Sequence, residues 1–104
     1  MQETNVMRLA ELAAYQDGAV VSKTLLNKLT GTVTLFTFAQ GQGLSEHTAP
    51  FDAMAQILDG EAEITVAGTP FQVRQGEMLI MPAHQPHALR AVKPFKMLLT
   101  MIRS

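Results

Sequence analysis

Two histidines stand in similar surroundings and are the residues of this chain best suited to chemistry. His47 follows a glycine-rich bend at Gly41–Gly43 and precedes Pro50. His87 likewise ends a stretch, Gly76–His87, that runs from a glycine through a short apolar segment and a proline turn. A neutral imidazole can bind a metal or hydrogen-bond a polar ligand near neutral pH. Two strand-borne histidines at the ends of paired hairpins are typical of a small β-barrel with an internal pocket.

Alternating apolar and polar residues predict the strands that would position these histidines. The run Thr32–Ala39 is rich in β-branched and aromatic residues, which favour strands. In residues 61–66 every second side chain is apolar, so one face must meet the core. The expected buried residues are Ala62, Ile64 and Val66, and the expected exposed ones are Glu61, Glu63 and Thr65.

Turn signals divide these strands at short intervals. Asp59-Gly60 is the strongest short hairpin signal in the chain, and Ala67-Gly68-Thr69 predicts a second hairpin turn. Val92–Pro94 predicts a turn before a closing strand. The run Met78–Met81 is apolar on both faces, as a central strand would be. This spacing predicts an antiparallel sandwich or barrel over about residues 19–103, after a lead-in over 1–18 with at most two turns of helix.

Composition limits the class of protein. A chain of 104 residues forms one domain, and nearly half of its residues are apolar. A net charge of −1 without a lysine or arginine cluster argues against a nucleic-acid partner. No apolar run is long enough for a signal peptide or a membrane span, so a cytoplasmic location without membrane contact is expected. The absence of cysteine excludes disulfides.

The two histidine stretches resemble the two motifs of the cupin superfamily of small β-barrels. In the first motif Gly41, His47 and Gly60 are in frame, while Ala49 and Ala53 stand where the family has a second histidine and a glutamate.

In the second motif Gly76, Pro82 and His87 match, while His84 replaces a glycine and Ala91 an asparagine. The resemblance covers roughly residues 33–102. It implies an all-β fold, the double-stranded β-helix or jelly-roll barrel.

The resemblance also implies that His47 and His87 point into the barrel, where family members bind a divalent metal such as Zn, Ni, Fe or Mn. No carboxylate is in register to complete such a site, because Ala53 cannot coordinate. Asp52 is one residue out of phase, and His84 lies in the proline turn; both are weaker candidate ligands. We therefore expect any metal to be absent or weakly held.

Three functions from different classes follow. The favoured one is a small-molecule-binding cupin whose pocket lies around His47 and His87. The candidate ligand-binding residues are His47, Met54, Gln56, Met78 and His87. The second is a metal-dependent oxygenase or isomerase whose two-histidine site is completed by water, Asp52 or Gln56. The third is a structural or regulatory barrel without a ligand. Because so short a barrel with few charges would expose apolar surface, a homodimer is expected.

Overall fold

Antiparallel strands form nearly all of the regular secondary structure of the molecule. The computed structural model describes residues 4–103. Its elements are a 3₁₀ turn at Leu9–Glu11, β1 (Val20–Lys28), β2 (Gly31–Phe38), β3 (Gly43–His47), β4 (Phe51–Val66), β5 (Thr69–Arg74), β6 (Met78–Met81) and β7 (His87–Arg103). In the described part of the lead-in, residues 4–18, the helical structure is a single 3₁₀ turn. Within residues 4–103, no helical segment has the length and apolar character needed to cross a membrane.

Two long strands, β4 and β7, run through both layers of the barrel. They pair with each other along most of their length. The start of β4 and the end of β7 join β1, β2 and β6 in one layer, which we call the front sheet. The end of β4 and the start of β7 join β3 and β5 in the other layer, the back sheet. This double-layered, all-β jelly roll confirms the predicted fold class.

The prediction of a hairpin turn at Asp59-Gly60 is wrong. Pairing of β4 with β7 continues on both sides of this dipeptide, with register shifts beside it. Gly60 has a φ of +78°, a conformation that occurs in β-bulges as well as in hairpin turns. A Cβ on Gly60 would collide with the carbonyl oxygen of Pro94. The dipeptide is therefore a bulge at which β4 passes from the front sheet to the back sheet.

The turn predicted at Val92–Pro94 is wrong for a related reason. These residues lie inside β7, beside the bulge of β4, so β7 bends there without ending.

The hairpin prediction at Ala67-Gly68 is confirmed. Both residues have positive φ, 50° and 84°, and they join β4 to β5 as a two-residue loop.

The core fills the space between the two sheets. Ala62 and Ile64 are fully buried there, as predicted. Val66 is half-buried, and the three alternating residues on the outer face are half-buried as well. Phe38 and Phe95 stack with ring centroids 4.3 Å apart. The predicted alternation is observed, with partial cover on the outer face.

The prediction that Met78–Met81 is a central strand is wrong. This strand, β6, pairs with β4 alone and is an edge of the front sheet. Met78 and Ile80 are about half exposed, while Met81 is 2% exposed and belongs to the core. An apolar run at a sheet edge looks the same in sequence as one at the centre.

The lead-in packs on part of the outer face of the front sheet. The Thr37 hydroxyl donates to the Ala14 carbonyl at 3.2 Å, and Lys96 donates to the Ala10 carbonyl. The Tyr15 hydroxyl donates to Asp59 at 2.6 Å; burial, and then this bond to Asp59, raise the pKa of Tyr15. The lead-in therefore covers the part of the front sheet nearest the bulge.

Candidate functional site

The two histidines predicted to share a site lie side by side at one end of the barrel. His47 ends β3 and is paired directly with His87, which begins β7. Their ring centroids are 4.3 Å apart, with 67° between the ring planes. His87 is 7% exposed, whereas His47 is exposed to solvent. The pair therefore lies at the mouth of the barrel, between solvent and core.

A bulge in β3 sets the direction of His47. Leu44 pairs with the core residue Leu89, and the next paired residue is His47, after a register shift. Between these two pairs, β3 has one residue more than β7. In a regular strand, Leu44 and His47 would lie on opposite faces because they are three residues apart. The bulge re-aims His47 toward the same side as His87.

Backbone carbonyls fix which nitrogen of each ring carries hydrogen. Nδ1 of His47 lies 2.8 Å from the carbonyl oxygen of Ser45, and Nδ1 of His87 lies 3.3 Å from that of Gln85. A carbonyl oxygen can only accept, so Nδ1 of each ring is the donor. In a neutral ring, Nε2 then keeps its lone pair for a ligand. Histidines that bind metals are oriented by the same kind of backbone bond.

The surroundings of His87 favour its neutral form. Burial lowers the pKa of His87 below its usual value of 6.5, and the neighbouring His47 lowers it further. The bond to Gln85 opposes this shift but does not overcome it. His87 is therefore neutral near pH 7 and presents a free lone pair.

Two loops that cross between the sheets lie side by side at this mouth. One crossing joins His47 to β4 and the other joins β6 to His87. The His84 amide donates to the Ala49 carbonyl at 2.8 Å, and the Ala83 amide donates to Oδ1 of Asp52 at 2.9 Å. These two bonds tie the crossings together and so hold the two histidine-bearing strand ends in register.

The same bonds decide the roles of two weaker candidate ligands. The Asp52 carboxylate is exposed and accepts a hydrogen bond from the backbone of the second crossing. His84 is exposed in the turn and has a φ of 66°. The structure brings neither side chain to His47 and His87. Asp52 instead binds the backbone of the second crossing, and His84 occupies a left-handed position in its turn.

The other predicted pocket residues lie on the far side of the front sheet. In β4, Ala53 and Ala55 belong to the core, so the alternating Met54 and Gln56 face outward. Met78 pairs with Gln56 and is 48% exposed. The structure does not bring Met54, Gln56 or Met78 together with the histidines.

The residues at the mouth do not form the usual donor set for a tight Zn or Fe site. Ala49 lies in the first crossing and Ala53 on the inner face of β4, and neither supplies a ligand atom. Within residues 4–103 there is no group of three or more histidine, cysteine, aspartate or glutamate residues that could hold a metal ion. Tight sites for Zn or Fe need three or four such ligands.

Residues 34–102 match the sequence profile of the cupin domain family. The chain belongs to the cupin family. No curated protein sequence shows significant similarity to this cupin. Because one fold can host many activities, membership of this family does not by itself assign a function to the chain.

Solved structures give the same family. A conserved protein of unknown function from Streptococcus pyogenes is 35% identical, with a TM-score of 0.94 over 100% of this chain and 91% of that one. A cupin superfamily protein from Desulfitobacterium hafniense is 30% identical, with a TM-score of 0.92 over 100% and 95% of the two chains.

A cupin 2 conserved barrel domain protein from Leptotrichia buccalis is 42% identical, with a TM-score of 0.91 over 93% of this chain. This cupin spans only 47% of that protein's length. Salicylate 1,2-dioxygenase from Pseudaminobacter salicylatoxidans, at 14% identity and a TM-score of 0.76, shares the fold alone.

Proposed function

We propose that this cupin binds a small ligand at the mouth of its barrel, through the paired imidazoles of His47 and His87. The observation that carries the proposal is the pair of Nδ1 bonds to backbone carbonyls, which leave both Nε2 atoms free for a ligand. The rings lie within 4.3 Å of each other, so one bound group can contact both.

The lone pairs select the kind of group that binds. The Nε2 atom of a neutral imidazole accepts hydrogen bonds, so the pair favours an electron-poor partner such as a hydroxyl hydrogen, an ammonium group or a metal ion. The inner neighbours of the pair, Leu89 and Val66, are apolar and favour a ligand with an apolar body. An acceptor-only anion fits this arrangement poorly while His87 is neutral.

The proposal predicts ligand-dependent stabilisation that needs His87. We expect one class from a panel of phenols, catechols, aliphatic alcohols, amines and Zn(II) to raise the melting temperature of the cupin. A ligand that binds only the folded state, at a hundred times its Kd, raises the melting temperature by about 10–20 °C in a domain of this size. His87→Gln should abolish the shift. His84→Asn, at an exposed histidine in a left-handed conformation that asparagine tolerates, is the matched control.

The same ligand should lose affinity at low pH. A proton competes for Nε2, so binding is complete above pH 6.5 and falls as the pH drops through the lowered pKa of His87. The unfolded chain takes up that proton more readily, so the folded state also loses stability over this range. Differential scanning fluorimetry across pH measures both effects. A panel without any stabilising member, or shifts that His87→Gln leaves intact, would contradict the proposal and favour a barrel without a ligand.

A metal-dependent enzyme is the second candidate, because its histidines would need the same Nδ1 anchoring that His47 and His87 show. The unsuitable donor set among the described residues counts against it. Metal retained after dialysis against chelator, together with turnover of an added substrate that stops when the metal is removed, would move the assignment to this candidate.

We further propose that this cupin forms a homodimer through the part of the front sheet's outer face that the lead-in does not cover. The exposed apolar residues there are Leu26, Met78, Ile80 and Ile102, each between 46% and 61% exposed. A second copy would cover this surface with a matching apolar one across a two-fold axis.

Replacing Leu98 with aspartate tests the dimer. Leu98 is half-buried and lies on this outer face, since it alternates with the core residue Met97. A carboxylate there should produce monomers or aggregates, because an apolar contact cannot compensate a charge. Leu26→Asp, on the same face, should act alike, and Thr69→Asp, exposed on the back sheet, should not. Sedimentation velocity measures the species present. Dimers retained by both leucine variants, or a monomeric parent, would contradict the proposal.

A further inference from the structure

A groove of about 390 Å³ lies on the outer face of the back sheet. It follows the start of β7, with β3 on one side and β4 on the other. Small and polar residues of these three strands line it, including Gly43, Ser45, Glu63, Thr65, Ala88 and Arg90. Ligand pockets in proteins have volumes of about 300–1,000 Å³, so the groove has the size of a site for a small ligand.

The groove and the histidine pair lie on opposite faces of the back sheet. His87 is 7% exposed and faces the barrel, so the next residue of β7, Ala88, faces outward. In β4 the fully buried Ile64 likewise alternates with Glu63 and Thr65. A ligand in the groove is therefore bound at a site separate from the mouth of the barrel.

Small residues give the groove its depth. Gly43 is paired directly with Arg90 and places no side chain on the outer face. A Cβ on Gly43 would collide with the carbonyl oxygen of Leu89, so a larger residue does not fit there unless the strands move apart. Leu44 and Leu89 line the groove although their side chains pack in the core, so their backbone forms part of its floor.

An arginine and a glutamate place opposite charges side by side in the groove. Nε of Arg90 lies 3.5 Å from Oε1 of Glu63, so the guanidinium leans toward β4 and leaves the space above Gly43 open. Nε2 of Gln72 donates to Oε2 of Glu63 at 3.1 Å and helps to hold the carboxylate in place. Within residues 4–103, no hydrogen bond joins the two Nη nitrogens of Arg90 to another residue, and the side chain is 65% exposed. These nitrogens are accessible to a ligand.

We propose that this groove binds a small α-amino acid, with the ligand's carboxylate on Arg90 and its ammonium group on Glu63. A guanidinium presents pairs of N–H donors that match the two oxygens of a carboxylate. A carboxylate has about four acceptor positions, and Glu63 uses two of them for Arg90 and Gln72, so it can also accept from an ammonium group. Because the two charges are adjacent, a zwitterion fits better than a ligand with a single charge.

An NMR titration of the nitrogen-15-labelled full chain tests the site. We expect glycine, alanine or serine, added as free amino acids at low ionic strength, to shift the amide signals of Gly43, Thr65 and Ala88. Acetate and methylammonium each carry one of the two charges and should bind at least about tenfold more weakly. The same titration gives the Kd and the location of the ligand.

Arg90→Gln and Arg74→Gln form a matched pair of variants. Both arginines are exposed on the outer face of the back sheet, and each forms an ion pair with a glutamate of β4, but Arg74 lies outside the groove. Arg90→Gln should weaken amino-acid binding about tenfold or more, because charge-assisted hydrogen bonds to the carboxylate are lost. Arg74→Gln should leave the Kd unchanged.

Three results would overturn the proposal. The first is a parent whose groove signals do not shift with any of the amino acids, and the second is an equal loss of binding in the two arginine variants. The third is acetate bound as tightly as the amino acids, which would exclude a role for Glu63 in recognition. His87→Gln should leave this titration unchanged, since the histidine pair lies on the other face of the sheet. Loss of amino-acid binding in that variant would place the ligand at the mouth and would also contradict the groove site.

Discussion

The double variant Ala49→His, Ala53→Glu is expected to bind Zn(II) or Ni(II) at least about 100-fold more tightly than the parent cupin. The substitutions restore the imidazole and carboxylate of the family motif beside His47 and His87. The described residues bring two imidazoles together at the mouth, whereas tight sites for these ions have three or four protein ligands. Zn(II) and Ni(II) on the parent should therefore be exchangeable and easily removed by chelators.

Isothermal titration of freshly stripped protein measures this difference. Adding His87→Ala to the double variant should remove the gain, because the site then loses one of its imidazoles. Ala49→His, Ala53→Gln keeps the size of the new side chain without its charge and isolates the contribution of the carboxylate. The glutamate enters a position that is 5% exposed, so the metal-free double variant should also unfold at a lower temperature, and metal should reverse this loss.

Two outcomes would contradict the prediction in different ways. A parent that keeps stoichiometric Zn(II) or Ni(II) through dialysis against chelator would show that a further ligand exists at the mouth. Negligible binding by parent and double variant alike would show that the motif positions do not converge on one ion. The second result would also weaken the small-molecule proposal, which depends on the same convergence.

The sequence predicts the fold of this cupin well because the relevant signals are local. Alternation in residues 61–66 identifies the core side of β4, and Ala67-Gly68 identifies a true hairpin. The resemblance to the family motifs implies that His47 and His87 both point into the barrel, and the structure places their rings 4.3 Å apart. These features need only the period of a strand and the conformational preference of glycine.

The residues that line the site are predicted less well, because the two-residue period of a strand does not show which of its two faces points into the barrel. Around Met54 and Gln56 both faces of β4 are apolar or weakly polar, so alternation does not show that Ala53 and Ala55 face inward. The bulge in β3 that re-aims His47 changes the phase within a few residues. Such shifts arise from pairing between strands distant in sequence, which local patterns do not record.

Asp59-Gly60 is another place where a local pattern does not identify the structure, since this dipeptide suits both a hairpin turn and a β-bulge. Its geometry also predicts that substitution of Gly60 has a large effect on stability. Gly60 has a left-handed φ, and a Cβ there would collide with the backbone of Pro94 in β7. Gly60→Ala should therefore combine backbone strain with a steric clash and lower the free energy of unfolding by about 3 kcal/mol or more. Urea unfolding followed by far-ultraviolet circular dichroism measures the loss.

Gly68→Ala separates the two causes of that loss. Gly68 has a similar φ of 84°, but a Cβ there would meet nothing within 4 Å, so only the backbone strain applies. Its cost should be roughly 1–2 kcal/mol. Equal losses at the two positions would mean that β7 moves freely away from the new methyl group. The bulge would then be an adaptable bend, whereas a much larger loss at Gly60 would show that close contact between β4 and β7 sets the angle at which both strands pass from one sheet to the other.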